Sequence, residues 1–402
     1  MKHRLFFLLS VFCACTLSRA EDPTPRYFSA KPGALIKAKE KLAAGDKSLA
    51  RALKKLVADA EKALAETAPS VMHKDKLPPS GDKHDYMSLA PYFWPNPDTT
   101  DGLPYVRHDG KANPESRDPK ANDSPAIKVM GDNVETLALA YYFTGNETYA
   151  EGAAKVARTW FLDPATRMNP HLKYAQAIMG VNEGRGTGIL EAIHISVAAD
   201  ALGLLAESTA WPKDNQKALK EWLRTYHDWL IESDPGKDER RAKNNHGTFY
   251  DVQAVRIALV IGRIDPAKRI LEEAKQGRIA AQIEPDGKQP LELDRTTSFS
   301  YSRFNLEALT ELATLGEHAG VDLWNFTTED GRSIRKAIDY MLPYADVPPK
   351  PWPLQQIKEK RESEFMPIFR RATLAYGGDA YEAIIGKYED APSKRFQLLI
   401  AE

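Results

Sequence analysis

Asn244-Asn245-His246-Gly247 stands directly ahead of an apolar run whose spacing predicts a helix. One asparagine in that position is ordinarily a helix cap. Two asparagines and a histidine in one first turn offer more. The backbone N–H groups and the positive end of a helix favour an anion, and an imidazole exchanges protons near neutral pH. A second cluster repeats the design at the start of another helix: Leu291-Glu292-Leu293-Asp294-Arg295-Thr296-Thr297, then Ser300-Tyr301-Ser302-Arg303-Phe304-Asn305. Arg295 and Arg303 carry the planar fork that binds carboxylates, or else bridge to Glu292 and Asp294 at the surface. Tyr301 offers a phenolic proton, or else fills core with its hydroxyl satisfied.

These residue types together suit β-elimination across a 4-O-linked uronic acid. The C5 proton of a uronate is a poor acid, because its loss places a second negative charge beside the carboxylate. Asn245 and Arg295 are suited to offset that charge. His246 or Tyr301 can remove the proton, and Tyr301 can protonate the departing O4. Such a reaction needs no metal, nucleotide or redox cofactor. A glycoside hydrolase would instead need two opposed carboxylates, and nothing in the sequence pairs Glu191, Glu292 or Asp294. A non-catalytic saccharide-binding protein would keep aromatic platforms but have no use for His246 and Tyr301.

Around this core, Tyr92 and Trp94 are candidates for stacking on sugar faces, and Asn244 and Arg303 for further substrate contacts. Arg185, within Glu183-Gly184-Arg185-Gly186-Thr187-Gly188, is a candidate for a neighbouring uronate. Its glycines make no dinucleotide fingerprint, since no strand precedes them and the third is one residue early; they read as a flexible helix lead-in. His194 follows Glu191 by one turn, like half of a di-iron pair. Without a second copy it reads as a cleft or core histidine, and no metal site is expected.

The elements that must carry these residues are helical. Val134 to Tyr141 and Tyr149 to Trp160 flank the Thr144-Gly145-Asn146 break as a hairpin. Similar pairs follow: Ile189 to Glu207 with Leu219 to Leu230, Val252 to Leu259 with Ala267 to Ala274, and Leu306 to Ala313 with Ile334 to Leu342. Ala34 to Glu66, broken near Gly45-Asp46, precedes them, and Phe365 to Gly377 and Ala380 to Lys387 follow. Stacked hairpins with no polar capping repeat at either end predict an all-α fold closed as an α/α toroid. The proline-rich stretch Pro69 to Pro125 lacks periodicity but holds Tyr86, Tyr92, Phe93, Trp94 and Tyr105. It is too aromatic for disorder and reads as an ordered lid or cleft wall. Val347 to Pro353 reads as a surface connection.

The segments SLAPYFWPNP, NNHGTFYDVQ and DGKQPLELDRTTSFSYSRFNLEAL resemble signature blocks of the alginate lyase superfamily of α/α-toroid polysaccharide lyases. The resemblance runs from about Asp85 to about Tyr344 and is closer to family 38 than to family 5, whose NNHxYW block is altered here. It implies an active site of Asn245, His246, Arg295 and Tyr301, and an alginate-like or glucuronan-like substrate.

Bulk properties agree. Lys2 and Arg4 precede an apolar run, LFFLLSVFCACTL, and Ser18-Arg19-Ala20 supplies small residues for cleavage, as in a secretory signal. A single mature unit from residue 21 to 402, periplasmic or secreted, is expected. No later segment reads as apolar enough to span a bilayer. Both cysteines, Cys13 and Cys15, fall inside the leader, so the mature chain holds no disulfide. Removing it takes three of 55 basic residues and none of 56 acidic ones, leaving 52 against 56 and a net charge of −4. No global basic field is present to attract nucleic acid; an anionic polysaccharide must be held by local positive charge in a cleft.

Overall fold

The computed structural model describes residues 26–391 and 394–401; the leader and both cysteines lie outside these. The expected hairpins form with their expected breaks. Helix α1 (Ala34–Ala43) turns at Gly45 into α2 (Lys47–Ala65), where the Asp46 carboxylate accepts from the Ser48 and Leu49 N–H groups. Helix α3 (Ser124–Thr144) ends at Gly145 in the left-handed conformation, and Asn146 caps α4 (Glu147–Ala157). Then come α5 (Ile193–Ala201), α6 (Lys213–Glu232), the short α7 (Asp234–Arg240), α8 (Asn245–Ile261) and α9 (Ile264–Ala274). After the one-turn α10 (Pro290–Leu293), the chain forms α11 (Ser298–Ala319), α12 (Ile334–Met341), α13 (Met366–Tyr376), α14 (Ala380–Ile385) and α15 (Phe396–Leu399).

Helices α3, α5, α8 and α11 pack side by side in that order, each against the next, as an inner row. Their burial is nearly all-round, and in α8 almost every residue from Asn245 to Ile261 is buried. Helices α2, α6, α9 and α12 bury a single stripe against this row, which is why their sequences alternate apolar and charged at helical spacing. Helix α15 returns to pack on α1 and α2. The architecture is an α/α toroid.

One expectation about membrane spans fails on composition. Gly186–Leu205 is long and apolar enough to cross a bilayer, but two-thirds of that window is buried. It lies against α3 and α8, so its apolarity is that of a core helix.

The long stretch between α2 and α3 is ordered. It forms β1 (Met87–Leu89), which pairs in parallel with β4 (Tyr174–Ala177), and the antiparallel ribbon of β2 (Phe93–Trp94) with β3 (Val106–Arg107). The Asn113 side chain ties the ribbon down by donating to the Phe93 carbonyl at 2.9 Å.

One other expectation is corrected. The glycines at 184, 186 and 188 are not a flexible lead-in: a Cβ at Gly188 would lie 2.5 Å from the Ala175 Cβ and 2.7 Å from its carbonyl carbon. Gly184 and Gly188 permit close packing on β4 and the residue before it, and Gly186 permits it on α7. The segment Val347 to Pro353 is exposed apart from the half-buried Trp352, and Trp352 with the residues that follow reaches back to α11. The Gln355 carbonyl accepts from the Ser298 N–H, the Gln356 side chain accepts from the Phe299 N–H, and Trp352 donates to Ser298 Oγ at 2.8 Å. These residues cap the N-terminus of α11, the helix that carries Tyr301.

Candidate active site

The N-termini of α8 and α11 are neighbours, and the lid ribbon crosses to them. Tyr301, in the first turn of α11, has its hydroxyl 2.9 Å from the Tyr92 hydroxyl of the lid. Arg295 donates to the same Tyr301 oxygen at 2.8 Å, and its guanidinium carbon stands 3.7 Å from the Tyr301 ring centroid. Arg295 also holds Asp109 of the lid, through Nη2 at 2.7 Å and Nε at 3.3 Å. Asp109 further accepts from Thr296 Oγ1 at 3.0 Å and from Arg107 at 2.7 Å. Burial would raise the Asp109 carboxyl, but the hydrogen bonds from Arg295 and Thr296 hold it at about 2. For Tyr301 the balance is reversed: burial, reinforced by Tyr92, pushes its hydroxyl far above the usual phenol range against the pull of Arg295. Tyr301 therefore rests as a proton donor.

Across from this cluster, His246 Nδ1 lies 2.6 Å from a carboxylate oxygen of Glu239 on α7. Asn245 is fully buried, and its backbone N–H and side-chain amide both donate to Glu292 on α10, at 2.7 and 2.8 Å. The anion expected at this helix N-terminus is thus the protein's own Glu292, whose carboxyl is raised by burial. Among the described residues, Asn245 Oδ1 is left buried without a partner. Asn244 occupies the cap position of α8, but its side chain makes no capping bond; its carbonyl receives the Gly247 N–H instead. Arg295 and His246 both act by charge on Glu292, which places the two halves of the site within one electrostatic neighbourhood.

Arg185 joins them. It donates to the Gln176 carbonyl at 3.1 Å and to its side-chain oxygen at 2.9 Å, and it lies 5.2 Å from the Phe93 ring, the residue after Tyr92. Glu239 and Arg107 both act on its charge. Gln176 itself has φ 50°, a left-handed conformation uncommon for a non-glycine residue. Its amide is fixed from the other side by Glu191, which also accepts from Tyr86 and Ser88 at 2.7 and 2.6 Å. Glu191 is therefore an anchor for Gln176 and the lid base, and not half of a metal pair. Trp94 lies on the same ribbon as Tyr92, with its N–H donated to the Lys111 carbonyl at 2.9 Å.

Two proposed contacts are not brought to this place. His194 packs on α3, where a Cβ at Gly131 would meet it at 2.7 Å; its charged neighbours are Asp132, Lys128 and Glu135. Arg303, two residues after Tyr301 and so on the opposite side of α11, pairs with Glu307 at 2.6 Å and faces Glu364 at 3.1 Å. Its fork is already occupied by the protein's own carboxylates. Conversely, Glu239, Asp109, Arg107 and Gln176 went unread in the sequence. Asp109 meets Arg295 from 186 residues away, while Arg107, Glu239 and Gln176 lie two, seven and nine residues from Asp109, His246 and Arg185, and no helical or strand periodicity marks these pairs.

The sequence profile of the alginate lyase family matches residues 70–352, more than half of the chain, from the stretch after α2 to Trp352. The chain belongs to the alginate lyase family. As an alginate lyase it is a polysaccharide lyase acting on an alginate-like, acidic polymer. The crystal structure of an alginate lyase from Bacteroides ovatus matches with a TM-score of 0.88 at 43% identity, covering 94% of this chain and 99% of that one. Alginate lyase A1-III from Sphingomonas species A1 matches with a TM-score of 0.62 at 16% identity, covering 94% and 98%, a likeness of fold. A search of curated proteins finds no match. The hydrolase alternative loses two of its three carboxylates, since Glu292 is committed to Asn245 and Glu191 to Tyr86, Ser88 and Gln176, which leaves the exposed Asp294 without either of them as an opposed partner.

Proposed function

We propose that this alginate lyase cleaves a 4-O-linked uronan by β-elimination, with Tyr301 as the acid that protonates the departing O4. The observation that carries the reading is the Tyr301 hydroxyl, kept protonated by burial and fixed by Arg295 at 2.8 Å. Removal of H5 leaves an electron pair that forms the C4=C5 double bond as the C4–O4 bond breaks. The new non-reducing end is a 4,5-unsaturated sugar. Arg295 stands to offset the charge that builds on the uronate carboxylate; Asn245, expected to share that task, is buried with its backbone N–H and side-chain amide both donated to Glu292, and so acts by holding that carboxylate in place.

The proton acceptor depends on the sugar. In mannuronate and glucuronate, H5 and O4 lie on one face of the ring, and Tyr301 can serve both steps once it has become a phenolate. In guluronate they lie on opposite faces, and His246 is the group suited to take H5. Support for a saccharide of several residues in such a fold comes from A1-III, which is known in complex with a tetrasaccharide as a His→Ala and as a Tyr→Phe variant. Ultraviolet absorbance of the unsaturated product, followed on polymannuronate, polyguluronate and glucuronan, tests the reading. Tyr301→Phe should lose at least roughly 10³-fold in kcat while keeping its fold; a fully active variant would remove Tyr301 from the chemistry. The basic, apolar leader further supports export to the periplasm or medium, which cell fractionation would check.

A further inference from the structure

Glu239 is a carboxylate with only 2% of its surface exposed, on a helix that is not part of the inner row. Its backbone is fixed from three sides. The Glu239 carbonyl accepts from the Ala242 N–H, the Gly236 turn packs so tightly on the Leu230 carbonyl that a Cβ there would lie 1.9 Å from it, and the Glu239 N–H side abuts Gly186. One side-chain contact answers this burial: Oε1 lies 2.6 Å from His246 Nδ1. Arg185 acts on Glu239 through charge, while its own hydrogen bonds go to Gln176. A buried carboxylate accepts and does not donate, so Nδ1 must carry the hydrogen. The His246 lone pair is then on Nε2, the ring nitrogen that makes no hydrogen bond among the described residues.

We propose that Glu239 is a positioning residue that holds His246 in the tautomer whose Nε2 takes the C5 proton. The inference rests on the β-elimination reading above. As H5 moves to Nε2, the imidazole becomes an imidazolium whose Nδ1–H remains on Glu239, and the buried carboxylate balances the new positive charge. The C5–H electrons form the C4=C5 bond, the C4–O4 bond breaks, and O4 takes the phenolic proton of Tyr301. The imidazolium then gives up its proton, and the phenolate regains one, through solvent. In this arrangement the enzyme has a base distinct from its acid, which is what a uronate with H5 and O4 on opposite faces requires.

The test is a kinetic double-mutant cycle on polyguluronate with Glu239→Gln, His246→Ala and the pair. Glutamine keeps the size of glutamate but can donate to Nδ1 and so move the ring hydrogen to Nε2. Glu239→Gln is expected to lower kcat roughly 10²-fold with KM changed by less than about three-fold. Added to His246→Ala, it should cost less than about two-fold more, because both act through one group. Glu239→Asp, which keeps the charge, should recover more activity than Glu239→Gln. Independent, multiplicative losses, an aspartate no better than glutamine, or a fully active Glu239→Gln would each overturn the inference. Wild-type cleavage of polymannuronate with none of polyguluronate would overturn it too, while leaving the lyase reading intact. Unsaturated product from no uronan would instead overturn the reading on which it rests.

Discussion

Arg295 lies over the ring of Tyr301, 3.7 Å from its centroid, and donates to the hydroxyl of that same residue at 2.8 Å. A guanidinium that both stacks and hydrogen-bonds fixes the phenol in position and in rotation. It also supplies positive charge where a phenolate would form. Arg295→Lys keeps the charge but loses the planar fork, so it cannot hold Asp109 twice and Tyr301 as well. The expected loss in kcat is roughly 10²-fold or more, with protein of unchanged thermal midpoint, read by steady-state production of unsaturated ends.

Asp109 connects the lid to Arg295, and its carboxyl is held at about 2. With an unfolded value near 3.9, its contribution is fully present above about pH 4 and is lost as pH falls through about 2. Over neutral working conditions the latch is therefore ionised throughout. Asp109→Asn removes it at all pH. The variant should be cut faster by protease within residues 96–103 and show a several-fold change in KM for polymer; unchanged cleavage and kinetics would show that the ribbon is held by its other bonds alone.

Gly247 stands one residue after His246. A Cβ there would lie 2.1 Å from the Ala242 carbonyl oxygen and 2.4 Å from an Arg278 nitrogen that donates to that same carbonyl. Gly247→Ala should destabilise the protein by about 1–3 kcal/mol, seen in denaturant unfolding, and lower kcat because the first turn of α8 must shift. A neutral substitution would mean that the turn and Arg278 relax together.

Arg303 and Arg185 separate a structural fork from a binding one. With Arg303 committed to Glu307 and Glu364, Arg303→Met should leave KM within about two-fold while costing at most about 1–2 kcal/mol of stability. Arg185→Met should raise KM for polymer by roughly ten-fold, since its half-buried guanidinium beside Phe93 is positioned by Gln176 and, among the described residues, has no carboxylate bonded to it. Comparable KM changes in the two variants would restore Arg303 to the site.

Much of this was written locally. The helices and their breaks follow from apolar period and from Gly145, Gly262 and Asp46, because helix geometry and caps depend on residues three or four apart. The same local logic placed Asn245, His246, Arg295 and Tyr301 at helix starts. Their pairing was not local. Glu239 reaches His246 from another helix, Glu292 takes both amides of Asn245 from 47 residues away, and Asp109 meets Arg295 across 186. A carboxylate's partner is decided by which surfaces the toroid brings together, and one-dimensional spacing carries no record of it. For the same reason Arg295 and Arg303, alike in sequence, part company in space. Eight residues apart on the chain, one turns toward the lid and the other to the glutamates of its own helix and of the segment leading into α13. The sequence determined which groups stand at the helix ends; only the packed structure decided which of them are free to meet a sugar.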